Sequence, residues 1–296
     1  MYSNTALTTE NMAYKAKQFW LLSKARLSGL VVFSGAFGFL MASGGGFEWV
    51  RLLALIVGSF LITAAANTIN QVLERSLDKK MKRTSSRPLP TGTLSPGEAK
   101  AFAWVVALLG VGLMVAFVNV LSAGLALLSL ILYAFVYTPL KQMTPLAVLV
   151  GAFPGAFPPL IGWVAMTGSI SVEAVIIFGI QFFWQFPHFW AIAWVGNDDY
   201  TKAGFKLLPS AGGRDLNTAT QIMLYTLFLL PLSFLPLQAG MAGVYSAGIS
   251  GVATLIFLAF TFNLIWRQTN KSALMVMFYS FIYLPTVQLA LLFDKV

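Results

Sequence analysis

The chain has 296 residues, 58% of them hydrophobic and 10% charged, with no cysteine and a mean hydropathy of +0.78. Soluble domains carry about 45–50% apolar and about 25% charged residues, so a soluble globular enzyme, a disordered chain and a disulfide scaffold are excluded. The net charge of +9 would suit nucleic acid, but its placement along the chain points to membrane topology, and no nucleic-acid partner is expected.

Residues 1–26 hold Lys15, Lys17, Lys24 and Arg26 without an apolar core and read as a cytoplasmic tail. Nine apolar stretches follow, near 27–47, 50–73, 98–118, 121–140, 145–167, 172–196, 219–238, 243–266 and 274–293. They predict an all-α, polytopic transmembrane bundle forming a single domain over 27–296, because helices satisfy their own backbone in lipid. Nine spans place 17 of the 19 basic and 7 of the 10 acidic residues on the N-terminal side, +10 there against −1 on the other. Only Arg51 and Lys295 are the basic exceptions, so the N-terminal side is expected to be cytoplasmic. Two long loops, near 74–97 and 197–218, fall on that side and are where function is expected.

The second span runs out into NQVLERSLDKKMKRTSSRPLPTG. Asn70, Glu74 and Asp78 are spaced i, i+4, i+8, which on a helix sets three oxygen-bearing side chains on one face, about 6 Å apart per step. Mg²⁺ takes one or two carboxylates together with phosphate oxygens. The following Lys79, Lys80, Lys82, Arg83 and Arg87 suit a diphosphate, although any helix leaving the membrane on this side gathers cations. TPLKQMTP, 138–145, reads as a short turn carrying Lys141. GAFPGAFPPLIGW, 151–163, puts six Gly and Pro residues inside a span, which suits either a broken helix at a cavity or close helix packing.

The sixth span ends in FFWQFPHFWAIAWVGNDDYTKAGFKLLP. Pro187 should free the carbonyl near Phe183 and bend the helix. His188, the only histidine, lies 11 residues before Asp199, hence on the same helical face and about 16 Å away along the axis. An imidazole at that depth serves as a packing residue, a haem ligand, a proton donor or a substrate hydrogen bond, and the residues alone leave these open. Asp198 and Asp199 sit near Lys202 and Lys206, either as solvated loop acids or as part of the first constellation.

Together NQVLERSLDKKMKRTSSRPLPTG, YTPLKQMTP, GAFPGAFPPLIGW and WQFPHFW…DDYTKAGFKLLP resemble the UbiA superfamily of intramembrane prenyltransferases, the last run being similar to its haem-modifying branch. The first motif departs from the family's N-D-x-x-D-x-x-x-D at Gln71 and Glu74, and Val195 stands where the second motif's earlier aspartate falls. Lys24-Ala25-Arg26-Leu27-Ser28 is similar to the family's K-P-R-[IV]-[TS] without its proline. The resemblance implies farnesyl transfer from farnesyl diphosphate to a vinyl group of protohaem IX, with addition of water. It also implies Mg²⁺ on Asn70, Glu74, Asp78, Asp198 and Asp199, and diphosphate on Lys80, Arg83, Arg87, Lys141 and Lys202. Lys24, Arg26, Trp184, His188, Phe189 and Tyr200 are implied for the haem and prenyl groups. A bacterial inner membrane with a cytoplasmic active-site face follows, with a haem A synthase or terminal oxidase assembly as partner. The alternatives are a quinone-precursor or chlorophyll-type acceptor and, more distantly, a transporter, which would need midplane sites between repeated halves.

Overall fold

A computed structural model describes residues 3–44, 46 and 48–296, with side chains from residue 12 onward. Ten long helices account for most of it: α1 (Ser3–Leu22), α2 (Ala25–Ala42), α3 (Trp49–Leu73), α4 (Pro96–Phe117), α5 (Val120–Ile131), α6 (Ala147–Thr167), α7 (Val172–Val195), α8 (Leu216–Leu232), α9 (Val244–Arg267) and α10 (Asn270–Phe293). The α5 helix continues through a π-helical turn, Leu132–Tyr137, into Thr138–Met143. Among the described residues, nine helices, α2 through α10 with these extensions, are long and apolar enough to cross a membrane. They match the nine stretches read from hydropathy to within a few residues. Of the first stretch, Gly45 and Phe47 lie outside the described residues, as do Met1 and Tyr2 of the tail.

The segment read as a tail is helical from Ser3 to Leu22. It lies against the bundle through Leu22, which clusters with Leu89, Leu94 and Ala99, and through the Phe19 ring, 5.0 Å from that of Phe102. Lys15 bonds Glu98 at 2.8 Å. Glu98 also closes a capping box with Ser95, and Pro96 opens α4 where a missing N–H costs nothing. At the opposite end of the bundle the two basic exceptions are tied down. Arg51 pairs with Glu48 at 3.0 Å, and the Lys295 ammonium donates to Leu40 O at 2.9 Å and to Ser43 O.

Helices in lipid gain little from hydrophobic burial against one another, so they associate through close packing of small residues. The α2–α6 crossing is built this way. A Cβ at Gly162 would lie 1.8 Å from Gly35 O, and one at Gly38 would lie 2.0 Å from Pro159 O. The Gly/Pro-rich α6 is therefore a continuous helix in close contact, not a broken one. Its prolines remove N–H donors, and two of the carbonyls so freed find partners on neighbouring helices. Pro154 O accepts from Ser129 Oγ at 3.4 Å, and Gly155 O accepts from Gln181 and Gln185 of α7. The α7 helix likewise runs unbroken through Pro187 to Val195.

Candidate active site

At the basic end, α3 carries its polar face past the last turn. Glu74 N bonds Asn70 O at 2.9 Å and Asp78 N bonds Glu74 O at 2.8 Å, so the i, i+4, i+8 register persists into the short helix Arg75–Asp78. All three side chains are buried. Each meets a partner from a different part of the chain. Asn70 Nδ2 donates to Thr138 Oγ1 at 3.0 Å, Glu74 pairs with Lys141, and Asp78 Oδ2 accepts from Arg87 at 2.9 Å. Asp78 Oδ1 is buried and accepts no hydrogen bond from the described residues.

Polar residues of α3 also build the corner that brings in Lys24. Gln71 Nε2 donates to Leu22 O at 2.8 Å, and Asn67 Nδ2 reaches Ser23 O at 3.4 Å and Ser28 Oγ at 3.3 Å. Between these anchors Lys24 adopts a left-handed backbone, φ 47°, which costs a non-glycine residue about 1 kcal/mol or more. The conformation sets its ammonium 3.5 Å from Asn70 Oδ1. Gln71, where the family pattern has an aspartate, thus holds the chain and not a ligand. Burial pushes the Lys24 ammonium down to about 7, with help from Arg87 and Lys141 and against Glu74 and Asp78.

Lys141, read from sequence as part of a turn, lies at the centre of this cluster. Its ammonium sits 4.8 Å from the Tyr137 ring centroid and 5.3 Å from that of Phe205. The two long loops meet here, for Lys206 N bonds Lys141 O at 2.7 Å and Arg83 donates to Tyr200 Oη at 3.0 Å. Burial, with the Glu74 and Asp199 carboxylates, pushes the Tyr200 phenol up from 10.0 against the pull of Arg83 and Arg87. The structure thus unites Asn70, Glu74, Asp78, Arg83, Arg87, Lys24, Lys141 and Tyr200.

Other candidates stand apart. The helix carrying His188 stops at Gly196, and Asn197–Lys202 is a separate short helix, so the face extrapolated from His188 to Asp199 is interrupted. Asp198 has both carboxylate oxygens on Arg214, whose Nε also caps Trp194 O at 2.7 Å. Asp199 lies 3.9 Å from Lys202, and no group of three or more acidic or histidine side chains converges among the described residues. Lys80, Arg26 and Lys202 are exposed.

Below the cluster lies a cavity of about 260 Å³ with largely apolar walls, reaching from Tyr133 and Tyr137 down to Gln181, Gln185 and His188. Tyr137 lines the cavity and also lies under the Lys141 ammonium, so the cation-rich cluster and the cavity adjoin at this residue. Trp184 stacks on His188 at 4.4 Å, Phe281 meets it edge-on at 4.9 Å, and Phe189 also lines the wall. Ser280 Oγ lies 2.6 Å from Met277 O, which can only accept, and 2.8 Å from His188 Nδ1; with its proton on Met277 O the hydroxyl accepts from Nδ1–H. The imidazole is then the Nδ1–H tautomer, and Nε2 keeps its lone pair for the cavity.

Residues 31–282 match the UbiA prenyltransferase family. The chain belongs to that family. A relative from Cytophaga hutchinsonii named protoheme IX farnesyltransferase is 47% identical, covering 96% of this chain and all of that one. The Arabidopsis thaliana mitochondrial protein of the same name is 37% identical over 95% of this chain and 65% of its own. Among solved structures, a chain from work on digeranylgeranylglyceryl phosphate synthase in membranes superposes with a TM-score of 0.80 at 21% identity, covering 95% and 98% of the two chains. A UbiA homologue from Archaeoglobus fulgidus bound to GPP and Mg²⁺ does so at 0.65 and 16%, covering 93% and 99%. The donor set of this UbiA chain fits a hard cation. Among the described residues Asp78 Oδ1 is a buried carboxylate oxygen without a donor, and Asn70 Oδ1 has only the long contact to Lys24.

Sequence reading missed Thr138, Tyr133, Tyr137, Gln181, Gln185 and Ser280. One signal was present for the glutamines: Gln181, Gln185 and His188 repeat at i, i+4, i+7 on an otherwise apolar helix.

Proposed function

We propose that the protein transfers the farnesyl group of farnesyl diphosphate to a vinyl group of protohaem IX, with addition of water, giving haem O and diphosphate. The observation that carries this reading is the junction at Tyr137, where a cation-rich cluster, its Asp78 Oδ1 accepting no hydrogen bond from the described residues, adjoins an aromatic cavity lined by His188. The naming of full-length relatives supports the haem acceptor.

Lys24, Arg87 and Lys141 bind the diphosphate, with Arg83 beside them and the exposed Lys80 and Lys202 free to draw the anion in from solvent. Asn70, Glu74 and Asp78 would hold Mg²⁺, with Asp199 offering a further carboxylate from the second loop. Bound there, the ion would supply neutralisation of charge on the leaving group. The cavity walls are largely apolar, and the faces of Trp184 and Phe189 shelter the allylic cation. His188 orients the porphyrin and offers Nε2 to the haem iron. By the positive-inside bias the cluster faces the cytoplasm of a bacterial cell, the bundle lying in its inner membrane. A cation-rich cluster beside an apolar chamber suits both substrates, each an apolar body with an anionic end.

The test is purified protein in lipid nanodiscs with farnesyl diphosphate, Mg²⁺ and either protohaem or an aromatic quinone precursor. A heavier haem of farnesylated mass supports the reading. Unchanged haem beside a prenylated quinone precursor overturns it.

A further inference from the structure

Gln181 and Gln185 lie one turn apart on the face of α7 that carries His188. Both amides bond the same acceptor, Gln181 Nε2 at 2.7 Å and Gln185 Nε2 at 3.0 Å from Gly155 O. That carbonyl is free because Pro159, four residues on, has no N–H. Space exists because residue 155 is glycine, where a Cβ would lie 2.7 Å from Gln185 Oε1. Gln181 is held from its other side too, its Oε1 accepting from Gln288 Nε2 at 3.0 Å. Gln185 is not. Its side chain is 4% exposed and lines the cavity, and its Oε1 accepts no hydrogen bond from the described residues. This oxygen is not one of the fully buried donorless atoms, so it keeps accessible surface at the cavity wall, where a water or a substrate hydroxyl can donate to it.

The farnesylation proposed above needs such a water, and the inference rests on that reading. The vinyl π pair forms a bond to farnesyl C1 as the C1–O bond to diphosphate breaks. The remaining positive charge lies on the vinyl carbon attached to the porphyrin. Two exits follow. A water oxygen lone pair bonds that carbon, and the oxonium loses a proton to the departed diphosphate, leaving an alcohol. Otherwise the adjacent carbon loses a proton to diphosphate, leaving an alkene lighter by one water. We propose that Gln185 Oε1 holds the water that captures this cation, and that the Gln181–Gly155–Gln185 arrangement fixes the outcome as alcohol.

The test measures the ratio of alcohol to alkene among the farnesylated haems, by mass, in wild type, Gln185→Met and Gly155→Ala. The first variant removes the oxygen acceptor and the second displaces it with a methyl group. The expected result is a fall of about tenfold in that ratio in both, the size of one positioned hydrogen bond. An unchanged ratio in Gln185→Met overturns the assignment. Loss of both products in step in both variants overturns it as well, since it gives Gln185 a part in transfer and not in hydration. Absence of any farnesylated haem from the wild-type reaction is a different result, removing the reading on which this rests.

Discussion

Replacing Ser280 by alanine removes one hydroxyl from beneath the imidazole. Ser280 is fully buried, and its Oγ is the acceptor for His188 Nδ1 at 2.8 Å. The change is narrow, because Trp184 Nε1 bonds the backbone oxygen of residue 280 at 2.9 Å and keeps that partner. In the variant, Nδ1–H loses its acceptor within a ring-lined site, and the tautomer with the proton on Nε2 becomes competitive. Losing a buried hydrogen bond of this type costs about 1–2 kcal/mol. If Nε2 is what the haem iron meets, that cost appears in haem affinity as a weakening of about 5- to 30-fold. The assay is titration of protohaem into purified protein, followed by its Soret absorption, in wild type, Ser280→Ala and Ser280→Thr. The threonine variant keeps a hydroxyl and should restore both affinity and band position. Equal affinity and an unchanged spectrum in Ser280→Ala would refute the argument that this hydroxyl sets the state of His188.

Three further perturbations test other parts of the structure. Arg87→Met leaves the Asp78 carboxylate, 1% exposed, without its side-chain donor; unfolding in detergent should show a loss of about 2–4 kcal/mol, discounted for the 23% exposure of Arg87. Gly162→Ala forces a methyl to 1.8 Å from Gly35 O and should destabilise by about 1–3 kcal/mol or more; in the same thermal assay Gly112→Ala, with nothing within 4 Å, should be neutral or stabilising. Lys15→Ala removes the 2.8 Å ion pair that ties α1 to Glu98 at the start of α4; hydrogen exchange in α1 should rise in that variant, by no more than a few fold because the pair is exposed.

Much of this architecture was legible in the sequence because lipid imposes a strict grammar. Long apolar runs must be helices, and their ends fell within a few residues of the hydropathy limits. The first acidic motif was legible for a local reason, since i, i+4 spacing survives wherever the backbone bonds survive, as they do from Asn70 to Asp78. What spacing cannot reveal is who meets those side chains. Lys141 comes from another connection, Arg87 folds back from nine residues further along the same one, and Arg214 draws Asp198 aside from a position 16 residues away. Extrapolating a helical face from His188 to Asp199 failed at Gly196, where the helix ends. The Gly and Pro residues of α6 suited a broken helix and close packing equally; what decides is that the Pro154 and Gly155 carbonyls recover hydrogen bonds from α5 and α7, which no single-helix pattern encodes.

The central claim is that the Asp78 cluster and the His188 cavity form one site for farnesyl transfer to haem. It is tested most directly by incubating membranes containing the protein with protohaem, farnesyl diphosphate and Mg²⁺, then reading the extracted haems by chromatography and mass beside an Asp78→Ala control. The account predicts a heavier, farnesylated haem from the wild-type protein and none from the folded control. Unchanged haem from the wild type, or farnesylated haem formed equally by Asp78→Ala, would contradict it.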